Sequence, residues 1–366
     1  MKVLHLIYDD PGNPWVAGGG AVRAFEIYRE LGDRVDATIV SGSYPGARDE
    51  TVGGVRYRRL GARRPYAWSR LTYAVAASRL LRRARYDAAA FEFSVYTPIL
   101  LPRKRPIGLV IHHITGPTAR ERFGGVVGGV VARLERRMLR GAGRISLSAQ
   151  WGLEQVKPLA PEAALHLVGA GVADEFFAVE RRESDFLLFF GRLDLFQKGL
   201  DTLLAGYAAL RRTRPGSPPL LIAGRGKDAG AVERMAGELG IAEHVRLLGP
   251  VTDARRLELL EGARVLLMPS RFEGFGLVAA EAMAAGVPVV AARAGSLPEV
   301  VDEPRGGMLV PPDDPAALAA ATAALLDDDE RRARLSASAR DSARRFRWAT
   351  VAERHLAFLE AVARDS

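Results

Sequence analysis

Two glutamates, Glu273 and Glu281, are separated by seven residues in the stretch MPSRFEGFGLVAAEAMAAG, Met268 to Gly286. An ionised carboxylate accepts hydrogen bonds from two adjacent hydroxyls, so an acid at either end of a pocket suits the rings of a sugar and a ribose. Between the acids the chain must turn: Gly274 and Gly276, flanking Phe275, permit positive φ and a close backbone approach to a ligand. From Gly276 onward the composition favours a helix, closed by Gly286 and Pro288. The leading amides of that helix, on Gly276, Leu277 and Val278, have no intrahelical acceptor, and with the macrodipole they favour an anionic group such as a diphosphate. Sugar, diphosphate and ribose in a row describe a nucleotide sugar.

A diphosphate leaving a sugar gathers negative charge that a metal or fixed cations must stabilise. Upstream, FFGRLDLFQKGLDTLL (Phe189 to Leu204) carries Arg192 and Lys198 in a loop between a strand and a helix. One brings planar bidentate donors, the other a compact point charge. No set of histidines and acids has metal spacing, and Asp313-Asp314 and Asp327 to Glu330 read as loop or helix-start residues. The segment LIAGRGKDAG, Leu221 to Gly230, has G-x-G after a strand, but no acid closes the following strand, VRLLG, to hold an NAD ribose. That excludes a dinucleotide site there.

In the first half, Gly18-Gly19-Gly20 lies between an apolar strand, Lys2 to Tyr8, and a helix from about Ala21 to Leu31. Strand, glycine turn and helix is how α/β proteins cradle phosphate, although the spacing is neither G-x-G-x-x-G nor a Walker loop. Glu92 in FEFS and the pair His112-His113 after GLVI fall at carboxyl ends of predicted strands, where doubly wound sheets bind ligands.

The elements that must position these residues alternate. Strands are predicted at Asp36 to Ser41, Val55 to Leu60, Ala88 to Phe93, Ile107 to His112 and Arg144 to Ser148, with helices near Trp68 to Arg85 and Gly125 to Arg140. A second alternation follows, with strands at Phe186 to Phe190, Leu220 to Ala223, Val245 to Leu248, Val265 to Met268, Val287 to Ala291 and Met308 to Val310. This pattern implies two parallel, doubly wound sheets, with a cleft between facing domains as the place for donor and acceptor. The charged run Glu180 to Asp185 reads as the linker. The helix Gly125 to Arg140 carries Val126, Val127, Val130, Val131, Leu134 and Met138 on one stripe, expected to pack on the sheet, with Arg133, Arg136, Arg137 and Arg140 on the others.

At 366 residues the chain has room for two domains, and 48% apolar with 26% charged residues describes a globular protein. No apolar run reaches the roughly 18 residues needed to span a bilayer, no signal peptide is evident, and there is no cysteine, which together lead us to expect a cytoplasmic protein. The net charge of +9 is unevenly placed, with ten arginines and no acid from Arg56 to Arg85. Such a block could meet an anionic membrane, nucleic acid or a phosphorylated acceptor, or be a solvated helix face.

The stretch from Met268, together with the preceding PSR and the following AAGVPVVA, resembles the E-x7-E segment of the retaining glycosyltransferases of family 4 (GT4). The resemblance is densest from Phe189 to Val301. It implies α/β architecture of the GT-B type: two Rossmann-like domains, here 1–182 and 183–345, and a terminal helix, 346–366, crossing back to the first. It implies that Glu273 contacts the transferring hexose and Glu281 the nucleotide ribose, and that Arg192 and Lys198 hold the diphosphate without a metal or other cofactor. By the same resemblance Gly19 and Gly20 approach the donor phosphate or acceptor, His112, or else His113, contacts the sugar, Gly224 belongs to a nucleotide-facing turn, and Val251 touches the base through its backbone. Glu92 would lie on the acceptor side.

Partners implied are a UDP- or GDP-sugar and a glycan, lipid-linked or small-molecule acceptor, with possible contact to an anionic membrane and none with nucleic acid. Retention of anomeric configuration comes from the resemblance, not from any spacing. A nucleotide-sugar 2-epimerase on the same fold and a non-catalytic binding partner remain open. Acceptor, sugar and base are not legible.

Overall fold

The computed structural model describes residues 1–365 except 17, 95, 96, 98, 100, 103, 104, 113 and 115–123. His113 therefore lies outside the described residues. The chain divides into two compact units, one of Met1–Ala170 together with the segment from Trp348 onward, the other of Gly171–Arg347.

The first unit is built on β1 (Lys2–Leu6), β2 (Asp36–Gly42), β3 (Glu50–Val52), β4 (Val55–Leu60), β5 (Ala88–Glu92), β6 (Ile107–Ile111), β7 (Arg144–Leu147) and β8 (Ala164–Leu167). They form a sheet of order β3-β4-β2-β1-β5-β6-β7-β8, parallel except for the β3–β4 edge. The central strands β1, β5, β6 and β7 are mostly apolar on both faces because both are covered. Val3, Ile39 and Val110 pack under the helices Gly19–Leu31 and Trp348–Arg364, while Leu4, Leu6, Val40 and Leu109 pack under the helix Tyr66–Arg83.

The second unit is an all-parallel sheet of order β11-β10-β9-β12-β13-β14. Its strands are β9 (Leu187–Phe190), β10 (Leu220–Ala223), β11 (Val245–Gly249), β12 (Val265–Met268), β13 (Val289–Ala292) and β14 (Gly307–Val310). Leu188, Leu266 and Val289 face the helix Leu277–Ala284, and Leu187, Val265 and Val290 face Leu203, Leu204 and Leu325. In each sheet the strand order reverses once, between β1 and β5 and between β9 and β12. The carboxyl ends at such a reversal form a crevice for ligands.

Two expectations differ from the structure. The segment 171–182 joins the second unit, because Val172, Phe176 and Val179 enter its core and Arg181 donates to the carbonyls of Leu260 (2.6 Å), Glu261 (3.0 Å) and Ala263 (2.6 Å). The boundary precedes the charged run Glu180 to Asp185. The helix Gly125–Arg140 buries Gly128, Glu135 and Leu139 instead of its valine stripe. Val126, Val127, Val130 and Leu134 are exposed, Val126 by 83%.

Candidate active site

In the second unit Lys198 and Glu273, of the expected acids and cations, meet at the reversal between β9 and β12. The turn after β12 carries Glu273, whose carbonyl is fixed by the amide (3.2 Å) and hydroxyl (3.1 Å) of buried Ser296. The loop after β9 carries Lys198, whose Nζ donates to Glu273 Oε1. Arg271 ties the two loops together. Its guanidinium donates to the Phe196 carbonyl (2.8 Å) and pairs with Asp201 (2.7 Å) and Asp313 (2.6 Å), and its amide donates to the Gln197 carbonyl (3.1 Å). Lys198 is thus held to the acid by backbone as well as by charge. Arg192 is exposed and forms no ion pair among the described residues.

Gly276 caps the helix Leu277–Ala284 at φ +89°, a left-handed conformation that costs a side-chain-bearing residue roughly 1–2 kcal/mol. A Cβ there would also stand 2.9 Å from Leu297 Cδ2. The leading amides of this helix, Leu277 and Val278, sit beyond Gly274 and Phe275, and Phe275 is packed edge-on against Phe346 at 5.5 Å between ring centroids. Glu281 is buried in the same helix and faces Arg256 as an ion pair without a directed hydrogen bond. The Arg256 guanidinium lies over the rings of Phe190 (4.7 Å) and Phe176 (5.1 Å), and burial pushes its pKa down, with Asp253 and Glu175 opposing. Gly224 lies in the loop after β10, where its amide donates to the Gly249 carbonyl (2.8 Å), and Val251 packs against the core beyond β11.

In the first unit Glu92 ends β5 and is buried. Its Oε1 lies 3.2 Å from His5 Nε2 and its Oε2 lies 2.6 Å from His112 Nε2. Each oxygen faces an imidazole, so Glu92 stands behind His112. Burial pushes its carboxyl up, but the charge of His112 and the hydrogen bonds from His112 and His5 outweigh it and hold the group well below the ordinary carboxylate value. Gly20 begins the overlying helix at close range: a Cβ there would stand 2.8 Å from Glu92 Oε2 and 3.3 Å from His112 Nε2. Gly19 has open space around it. Asp9, beneath Gly18, is pushed up by burial, with Arg70 lowering it and Glu92 raising it further.

The structure brings Lys198 onto Glu273 and His112 onto Glu92 as two contacts among the expected residues, and sets beside them Arg256, His5, Tyr28 and Arg23, which the sequence did not single out. Arg256 carried no signal in the sequence, because a basic residue facing an acid shows no local spacing when 24 residues separate the two. His5 lay inside an apolar strand and carried no signal.

Two family profiles match the chain in tandem: "Glycosyl transferase 4-like domain" over residues 18–171 and "Glycosyl transferases group 1" over residues 173–342. The D-inositol 3-phosphate glycosyltransferase of Jonesia denitrificans is 34% identical over 184 residues, 49% of this chain and 43% of that protein. The phosphatidyl-myo-inositol mannosyltransferase of Mycobacterium leprae is 39% identical over 178 residues, 48% of this chain and 46% of that protein. The matched stretch therefore spans less than half the length of these relatives. Sucrose-phosphate synthase from Thermosynechococcus elongatus superposes over 100% of both chains with a TM-score of 0.80 at 18% identity, a likeness of fold.

Proposed function

This chain belongs to the GT4-type glycosyltransferases and has their GT-B fold, and from that premise we propose that it moves a hexosyl group from a UDP- or GDP-sugar to an acceptor hydroxyl with retained configuration. The observation that carries the reading is the Lys198–Glu273 pair at the strand reversal, beside a helix N-terminus capped by left-handed Gly276. A carboxylate for sugar hydroxyls, a cation for the departing diphosphate and unpaired amides for its oxygens occur together. Arg192 adds a second cation, Glu281 takes the ribose once Arg256 yields it, and His112 contacts the sugar. Charge on the leaving group is met by Arg192 and Lys198, so transfer proceeds without a divalent metal.

The acceptor is a polyol or a glycolipid headgroup at an anionic membrane surface on the cytoplasmic side. The relatives named for inositol phosphate and phosphatidyl-myo-inositol support the polyol, and the exposed Val126, Val127, Val130 and Leu134 beside Arg133, Arg136 and Arg137 support the membrane. The test is product analysis with radiolabelled UDP-glucose and GDP-mannose in EDTA, with and without inositol phosphate or phosphatidylinositol vesicles. Acceptor-dependent release of nucleoside diphosphate with an α-linked product is expected. Epimerised donor formed without acceptor would overturn transfer, and a strict need for added Mg²⁺ would overturn the cation-only reading.

A further inference from the structure

Behind His112 runs a line of buried polar side chains that transfer itself does not call for. His355, on the terminal helix, places Nε2 3.3 Å from the Tyr28 hydroxyl; that hydroxyl lies 3.0 Å from His5 Nδ1; and His5 Nε2 reaches Glu92. His5 and His355 are 0% exposed and Tyr28 3%. Arg23, also buried, stands 3.8 Å from Glu92 Oε1 and donates from Nε to the Gly169 carbonyl at 3.1 Å. Apolar side chains of the same volume would fill this space at no electrostatic cost, whereas buried ions lose several kcal/mol of hydration that good pairing only partly restores.

The hydrogens on this line can be assigned by counting donors and acceptors. An ionised Glu92 only accepts, so His5 and His112 both present Nε2–H to it. Neutral His5 then has a lone pair at Nδ1, which takes the Tyr28 proton, and the Tyr28 oxygen accepts Nε2–H from His355. His355 Nδ1, which has no hydrogen-bond partner among the described residues, is left as a bare lone pair and not a stranded N–H. Burial and the Arg23 charge hold His355 well below its ordinary pKa against the opposing charge of Glu92, consistent with a neutral ring, and burial keeps the Tyr28 phenol protonated. The donors point one way, from the terminal helix to Glu92.

We propose that Glu92 is a positioning residue for His112: with His5, Tyr28 and His355 locked behind it, it holds the His112 ring in the Nε2–H tautomer and in one orientation. Nδ1, on a side chain that is about one-third exposed, becomes the acceptor offered to a sugar hydroxyl. This rests on the reading above that His112 faces the sugar.

The experiment is a two-bond ¹H–¹⁵N correlation of the full chain labelled at histidine, recorded above the histidine titration range, with His112→Gln assigning the signal. Wild type should show His112 as Nε2–H alone; an Nδ1–H signal would overturn the proposal without need of a variant. Glu92→Gln offers one acceptor and one donor where two imidazoles need two acceptors, so mixed tautomers at His112 or His5 and a kcat lower by about tenfold or more are expected, with affinity for free UDP or GDP unchanged. Unchanged signals with unchanged kcat would overturn it. Tyr28→Phe, which keeps the carboxylate and the volume, should loosen His5 first, seen as a mixed His5 signal; a single unaltered His5 tautomer would remove the relay. Undiminished transfer by His112→Gln would instead overturn the sugar-facing role of His112, leaving the tautomer result to stand or fall by itself.

Discussion

The ammonium of Lys198 neutralises Glu273 in the structure described here, and on the proposed function it must also meet the charge of a leaving diphosphate. Because the Arg271 staple fixes the loop that carries it, Lys198 need not be ordered at the moment of reaction, which is the condition under which a fixed cation is worth most. Lys198→Ala should therefore lower kcat by about 10² or more. Steady-state kinetics at saturating donor would check this, and near wild-type turnover would remove Lys198 from the diphosphate site. At this scale the sequence was legible where chemistry is local. Glu273, Gly276 and Glu281 lie within one turn and one helix, so their relation can be read from one stretch of sequence. His5, Tyr28, Glu92, His112 and His355 are drawn from β1, two helices and the ends of two further strands, and nothing in their separations announces that they touch.

Among the elements, the terminal helix Trp348–Arg364 gives stability a pH dependence. Its Phe358 and Leu359 are fully buried, and His355 enters the core as a neutral ring. The sign of the pH effect follows from that neutrality. The native ring does not bind a proton at its ordinary value of 6.5, the unfolded chain does, and so stability rises with pH through that region and falls on acidification below it. His166, also pushed below its ordinary value by burial and by Arg144, acts in the same direction, and Glu92, held low, adds its loss only at pH values below the ordinary carboxylate range. Thermal melts should thus show Tm decreasing from pH 7.5 to 5.5, with a shallower slope in His355→Gln; an equal slope in that variant would contradict a neutral His355. Most strands were legible because the middle of each sheet is covered on both faces, which leaves short apolar runs between polar turns; β3 and β8, short edge strands with partly exposed residues, were not. The helix Gly125–Arg140 was misread because an apolar stripe normally faces a core, and here Val126, Val127, Val130 and Leu134 face out while Met138 packs inward.

Across the whole molecule the positive charge is less available than its count suggests. Of the arginine block, Arg59 is turned inward onto Asp10 at 2.8 Å and Arg70 lies over the Tyr8 ring at 4.4 Å, so part of it serves the fold. What remains outward is mixed with apolar groups. Trp68, Leu71 and Val75 are exposed on the helix Tyr66–Arg83, and the helix Gly125–Arg140, packed against the same face of the sheet, adds its valines. Among the described residues no helix is long and apolar enough to cross a membrane. Sedimentation with vesicles containing phosphatidylglycerol should show salt-sensitive binding that phosphatidylcholine vesicles do not support, and Val126→Glu with Val130→Glu should abolish it without lowering Tm. Binding unaffected by that pair would rule out this surface. The division of the chain has one more effect. The first unit is closed by residues that follow the whole of the second, so on the ribosome β1 and β5 must wait, with their hydrophobic side half covered, while some 177 intervening residues are made and folded. The usual order of domain maturation is inverted: the part translated first is the part finished last.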